Sequence, residues 1–104
     1  MTIKFFDSSV EHFIESLEKP AFAKVIRMLN LLQQFGNKLG MPHSKKINTS
    51  LFELRVRGQH EVRILYTFYK DTAILLHGFI KKSQRIPPRE IATAKTRLRT
   101  LDKR

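Results

Sequence analysis

Apolar positions in this chain repeat first with a helical period and then with alternation. Met1 to Phe6 predicts a short strand. Ser8-x-x-Glu11 has the form of a capping box, in which hydroxyl and carboxylate each accept an orphan N–H at a helix start. Val10, Phe13, Ile14 and Leu17 then make a helical stripe. Pro20 is suited to open a second helix, and Phe22, Val25, Ile26, Leu29 and Leu32 mark its apolar face. Gly36 supplies a stop signal. Residues 37–50 carry no clean period and read as a long polar, basic loop. Three strands follow, Leu51 to Arg57, Glu61 to Tyr69 and Thr72 or Ala73 to Ile80. After a basic turn, Lys81 to Pro88, a last helix carries Ile91, Ala94, Leu98 and Leu101 on one side, flanked by Lys95, Arg97 and Arg99.

Alternation sorts the strand residues onto two faces. The even face holds Phe52, Leu54, Val56, Val62, Ile64, Tyr66, Phe68, Ile74, Leu76, Gly78 and Ile80, so it should lie against the helical hairpin. The odd face holds Glu53, Arg55, Arg57, Arg63, Leu65, Thr67, Tyr69, Leu75, His77, Phe79 and Lys81. Opposed residues of an antiparallel pair share a face, so each hairpin loop should hold an odd number of residues. A Lys70-Asp71-Thr72 loop sets Tyr69 opposite Ala73, Leu65 opposite His77 and Arg63 opposite Phe79. A Gly58-Gln59-His60 loop sets Arg57 opposite Glu61 and Arg55 opposite Arg63. Opposed like charges destabilise a sheet. The Arg55–Arg63 pair therefore needs compensation, either from a bound phosphate or from Glu53 and Glu61.

Charge sharpens this picture. The net charge of +11 is unevenly spread. Met1 to Phe35 holds four basic and four acidic residues, Gly36 to Ile80 seven and three, and Lys81 to Arg104 nine and two. A cationic surface of this kind gathers polyanions, of which nucleic acid is the commonest. At 104 residues and 41% apolar content, the chain should form a single domain, 1–104, with one core. The absence of cysteine excludes disulfides, thiolate metal sites and a cysteine nucleophile. No apolar stretch approaches the ~20 residues of a membrane span, and with acidic residues following at once and no apolar run, Met1 to Asp7 is not expected to act as a signal peptide. A cytoplasmic location is the expectation. His12, His43 and His60 have no partners at metal-ligand spacing, and neither a metal nor a cofactor is expected.

Leu51-Phe52-Glu53-Leu54-Arg55, Val62-Arg63-Ile64-Leu65-Tyr66, Leu75 through Gln84, and Pro87-Pro88-Arg89-Glu90-Ile91 with Ala94 together resemble the RelE/ParE superfamily of toxins. The similarity is greatest to its HigB-like, phage-associated branch and spans nearly the whole chain. It implies an α+β, RelE-like fold: an N-terminal strand, a helical hairpin on one face of a mostly antiparallel sheet of about four strands, and a C-terminal helix. It also implies cleavage of mRNA on the ribosome, inhibition of translation and growth, and neutralisation by a cognate helix-turn-helix antitoxin.

RNA cleavage of this type uses the ribose 2′-hydroxyl as internal nucleophile. The protein must help remove the 2′ proton, stabilise charge on the phosphoryl oxygens and protonate the 5′-leaving oxygen. Arginine suits the phosphate because its fork reaches two oxygens. Arg55 and Arg63 are the first candidates, with Arg57 third, and Arg63→Ala is expected to abolish toxicity while leaving the fold intact. His77 is the best single acid or base, because its intrinsic pKa lies near working pH. Lys81 and Lys82 can clamp charge or donate a proton. Tyr69 can stack on a base, and Gln84, Lys45 and Lys46 can contact RNA. The familiar RelE catalytic set does not map cleanly, since no tyrosine follows Tyr69. His77 or the Lys81-Lys82 pair must replace it, or positioning and charge carry the reaction. Two other functions stay open: a ParE-like inhibitor of DNA gyrase, and a non-catalytic basic module that binds RNA or the ribosome.

Overall fold

A computed structural model describes residues 1–102. In chain order they form β1 (Thr2–Phe5), α1 (Ser8–Glu15), α2 (Lys19–Phe35), a 3-10 turn (Gly36–Lys38), β2 (Ser44–Lys46), β3 (Phe52–Val56), β4 (Glu61–Tyr69), β5 (Thr72–Lys81) and α3 (Pro88–Asp102). The expected α+β architecture forms, with five strands in the order β1-β5-β4-β3-β2. Only β1 pairs in parallel, with β5. The fifth strand is β2, at the edge of the sheet, which occupies part of the segment expected to be loop. Its three residues are too few to show a period, and neighbouring β3 decides their conformation.

Local signals set the helix ends, with one change of residue. The cap of α1 is Asp7, not Ser8: its carboxylate accepts from the Ser9 amide at 2.9 Å. An ionised oxygen at the positive end of a helix outcompetes a neutral hydroxyl. Pro20 lies in the first turn of α2. Gly36 ends that helix at φ 55°, which lacks the Cβ penalty of other residues.

The sheet separates two cores. Val10 and Ile14 of α1 and Val25, Met28 and Leu32 of α2 pack on Leu54, Val56, Val62, Ile64, Tyr66, Ala73 and Leu75. On the other face, Ala94 and Leu101 of α3 pack on Leu51, Leu65, Ile74, Leu76 and Phe79. The apolar stripe of α2 is wider than its contact with the sheet. Val25, Met28 and Leu32 turn inward, while Phe22 and Ile26 stay 37% and 40% exposed.

A β-bulge overturns simple alternation in β5. Leu65 pairs with His77, but Tyr66 pairs with Leu75, leaving Leu76 as the extra residue. From there to the hairpin the parity of β5 is reversed. Ala73 and Leu75 face the helical hairpin, and Ile74 and Leu76 face α3, the opposite of the assignment by residue number. The bulge also shortens the turn to Lys70-Asp71, so Tyr69 pairs with Thr72 and not with Ala73. Arg97 of α3 donates to the Leu76 carbonyl and so satisfies the bulged residue. On the near side of the bulge, Arg63 opposite Phe79 and Arg55 opposite Arg63 stand as expected.

Gly78 records how closely α1 approaches β5. A Cβ there would lie 2.5 and 2.7 Å from two ring carbons of Phe13. Gly78→Val should therefore destabilise the protein by roughly 1–3 kcal/mol in urea unfolding. Gly40→Ala, with no heavy atom within 4 Å of the new Cβ, should leave the midpoint unchanged.

Candidate functional site: a cationic cleft at one end of the sheet

The odd face of β2, β3, β4 and β5 is built in transverse rows. Lys45, Glu53, Leu65 and His77 form one row, and Arg55, Arg63 and Phe79 the next. The last row joins Glu61 to Lys81, with Arg57 Nη1 3.9 Å from Glu61. α3 covers Leu65 and Phe79 but leaves the last row open. There Arg55, Arg57, Glu61, Arg63, Lys81 and Lys82, with Ser83 and Gln84, line a cavity of about 560 Å³. Five cationic side chains thus face one carboxylate.

Arg63 is the brace of this cleft and is only 1% exposed. Its Nη2 donates to Glu61 Oε1 at 2.9 Å, its Nη1 donates to the Val62 carbonyl, and its Nε lies 3.2 Å from Glu53 Oε2. Glu53 is itself 3% exposed and also faces Arg55 Nε at 3.9 Å. The buried carboxylate sits between two guanidinium groups and compensates the opposed arginines. Neither Nε makes an aligned hydrogen bond to it, so the contact is one of charge. Arg55 is half-buried, and its Nη1 lies 3.8 Å from Met41 Sδ. Arg57 and Lys82 are exposed and Lys81 half-exposed. No ion pair involves either lysine among the described residues.

Glu61 is held ionised. Burial alone would raise its pKa, but the Arg63 hydrogen bond, the Gly58 amide and the Arg63 and Arg57 charges together bring it below the ordinary carboxylate value. A folded pKa below the unfolded one means that protonation favours unfolding. Glu61 therefore contributes stability above the ordinary value of about 4.3, which is lost as pH falls through the lower folded value. Glu61→Gln should flatten the dependence of the urea midpoint on pH between about 5 and about 3. An unchanged slope would place the acid sensitivity elsewhere.

The remaining candidates are dispersed. His77 is separated from the cleft by Phe79, whose ring stacks on it at 5.7 Å. Its Nε2 lies 2.9 Å from Glu90 Oε1 of α3, and it lines a different cavity, with Lys82, Arg89 and Glu90. Tyr69 lies six residues along β4 from Arg63, about 20 Å away at the rise of a strand. Lys70 Nζ lies over its ring, 5.4 Å from the centroid. Lys45 projects on the cleft's face of the sheet opposite Glu53, whereas Lys46, opposite Phe52, is on the other face. Tyr66 is core, hydrogen-bonded to Ser44. Burial raises its pKa, while the Ser44 bond acts in the opposite direction. Glu61 and Ser83 line the cleft without having been singled out for it. Alternation already placed Glu61 on this face, but nothing in the sequence marks Ser83.

Among the described residues, no group of three or more His, Cys, Asp or Glu side chains could hold a metal ion. Among them, too, no helix is long and apolar enough to cross a membrane.

Fold and cleft together define a small α+β protein with an open cationic cleft at one end of its sheet. The family profile of the phage-derived protein Gp49-like matches residues 12–99, and the chain belongs to that family. The family is phage-derived and often toxin-like. No curated protein matches the sequence.

Proposed function

We propose that the protein is the toxin of a type II toxin–antitoxin pair, of HigB-like type, and acts as a ribosome-dependent endoribonuclease on mRNA in the cytoplasm. The observation that carries this reading is the open cleft lined by Arg55, Arg57, Lys81 and Lys82 together with braced Glu61. In the proposed reaction the 2′-oxygen bonds to phosphorus and the P–O5′ bond breaks. The 2′ proton leaves to a base, and a proton is delivered to the 5′-oxygen. The products are a 2′,3′-cyclic phosphate and a 5′-hydroxyl end. Arg55 and Arg57 hold the phosphoryl oxygens, and the Lys81 ammonium donates toward the leaving oxygen. Glu61 is the one carboxylate lining the cleft among the described residues. Its lowered pKa makes it a weak base, so orientation and charge supply most of the rate. A cognate helix-turn-helix antitoxin blocks this face or its approach to the ribosome.

One observation favours a second reading, a non-catalytic module that binds RNA or the ribosome. The best acid–base residue, His77, is engaged with Glu90 outside the cleft. Adding the protein to a cell-free translation reaction separates the two. Cuts within the translated message, ending in 5′-hydroxyl groups and absent without ribosomes, support the nuclease. Arrested translation with intact mRNA supports the binding module. Intact mRNA with loss of gyrase supercoiling supports an inhibitor of the ParE kind.

A further inference from the structure

A second cavity lies beyond Arg55 and Arg57, on the side of β3 that faces α2. It encloses about 240 Å³, below the roughly 300–1,000 Å³ of pockets for drug-sized ligands. Its walls are of two kinds. Met28, Pro42 and Val56 make an apolar floor, while Lys24, Arg27 and His43 form the rim beside Arg55 and Arg57. Among the described residues, no carboxylate lines it. Among the described residues, Lys24, Arg27 and His43 form no ion pair. The wall is anchored, because the Arg55 amide donates to the His43 carbonyl at 2.8 Å and so extends the sheet beyond β2.

We propose that this cavity is a nucleotide subsite for single-stranded RNA. One unpaired base rests on Met28, Pro42 and Val56, and the adjoining phosphates lie against Arg57, Lys24 and Arg27. Arg55 and Arg57 line both cavities, so basic side chains connect the cleft to this cavity around the edge of β3. A plain anion site has no use for an apolar floor, whereas a base has an apolar face to bury. A duplex keeps its bases stacked and out of reach, so the ligand is a single strand. The proposal rests on reading the cleft as an RNA site and adds to it a second contact point and the requirement for an unpaired base.

Methionine-methyl NMR on the full chain tests it. The chain has three methionines, and only Met28 lines this cavity. A nucleoside 5′-monophosphate should move the Met28 methyl signal saturably by ring current, while ribose 5-phosphate and inorganic phosphate should leave it in place. In parallel, Lys24→Ala/Arg27→Ala should weaken binding of a single-stranded oligoribonucleotide about tenfold. It should also reduce the log–log salt slope by about 1.4, the release expected for two phosphate contacts on a single strand. Both residues are exposed on α2, so the core is unaffected. The proposal is overturned if inorganic phosphate moves Met28 as far as the nucleotide does, or if only a glutamate-rich peptide moves it. It is equally overturned if the double variant binds the oligonucleotide like the parent. Failure of mRNA cleavage while Met28 still responds to nucleotide would sink the nuclease and support the subsite. Intact cleavage with an unresponsive Met28 removes the subsite alone.

Discussion

Arg63→Ala should destabilise the protein by about 3–5 kcal/mol rather than silence an intact fold. The substitution leaves Glu53, 3% exposed, as a buried carboxylate whose nearest remaining cation is Arg55 Nε at 3.9 Å. It also removes the hydrogen bond that Arg63 donates to Glu61 and empties a large buried side-chain volume. Breaking one partner of a buried pair costs about 3–5 kcal/mol. That is a large share of the 5–15 kcal/mol typical of a folded domain. Urea unfolding followed by circular dichroism should show the loss directly. Glu53→Leu/Arg63→Met, which removes both charges at similar volume, should recover most of it. A parental midpoint for Arg63→Ala would show that the brace contributes nothing. The sequence-based expectation of an inactive but intact Arg63→Ala protein is therefore replaced. Loss of growth inhibition by this variant says nothing about chemistry until its folding has been measured.

Arg57→Ala and Lys81→Ala should do the reverse, retaining the fold and losing the reaction. Arg57 has 59% of its side chain exposed, and its contact with Glu61 is a long 3.9 Å. Such surface pairs contribute about 0–1 kcal/mol. In the proposed reaction each residue aims positive charge at a phosphate or a leaving oxygen. Removal of one such donor lowers turnover about 10²–10³-fold. The measurement is cleavage of a defined message in translating extract, with urea midpoints recorded on the same preparations. Lys46→Ala, on the opposite face of β2, should cleave like the parent. Full cleavage by the Arg57→Ala/Lys81→Ala double variant would remove the cleft from the mechanism.

The expected rows around Arg55, Arg63 and Phe79 were legible because β3, β4 and the near half of β5 keep strict alternation, and parity alone decides their faces. The far half of β5 was misassigned because one extra residue, Leu76, reverses parity without a local signature. The role of Arg63 was ambiguous for a different reason. Alternation brought guanidinium and carboxylate groups to the same face, but burial decides whether they pair with each other or with a ligand. His77 was legible as a residue of that face and not as a partner of Glu90, since the path of α3 over the sheet is a tertiary property.

By itself, the sequence determined the positions of the helices, the pairing of the two long hairpins and the concentration of positive charge on their odd face, all of which follow from periodicity, caps and short-range alternation. The class of fold was legible through the resemblance to a known family. Tertiary structure alone decided which cations remain open to a ligand. Helix α3 covers one half of the basic face, and Glu53 and Glu61 engage Arg63 in the other. The charges left at the solvent are Lys81 and Lys82, which form no ion pair among the described residues, and Arg57, whose contact with Glu61 is long.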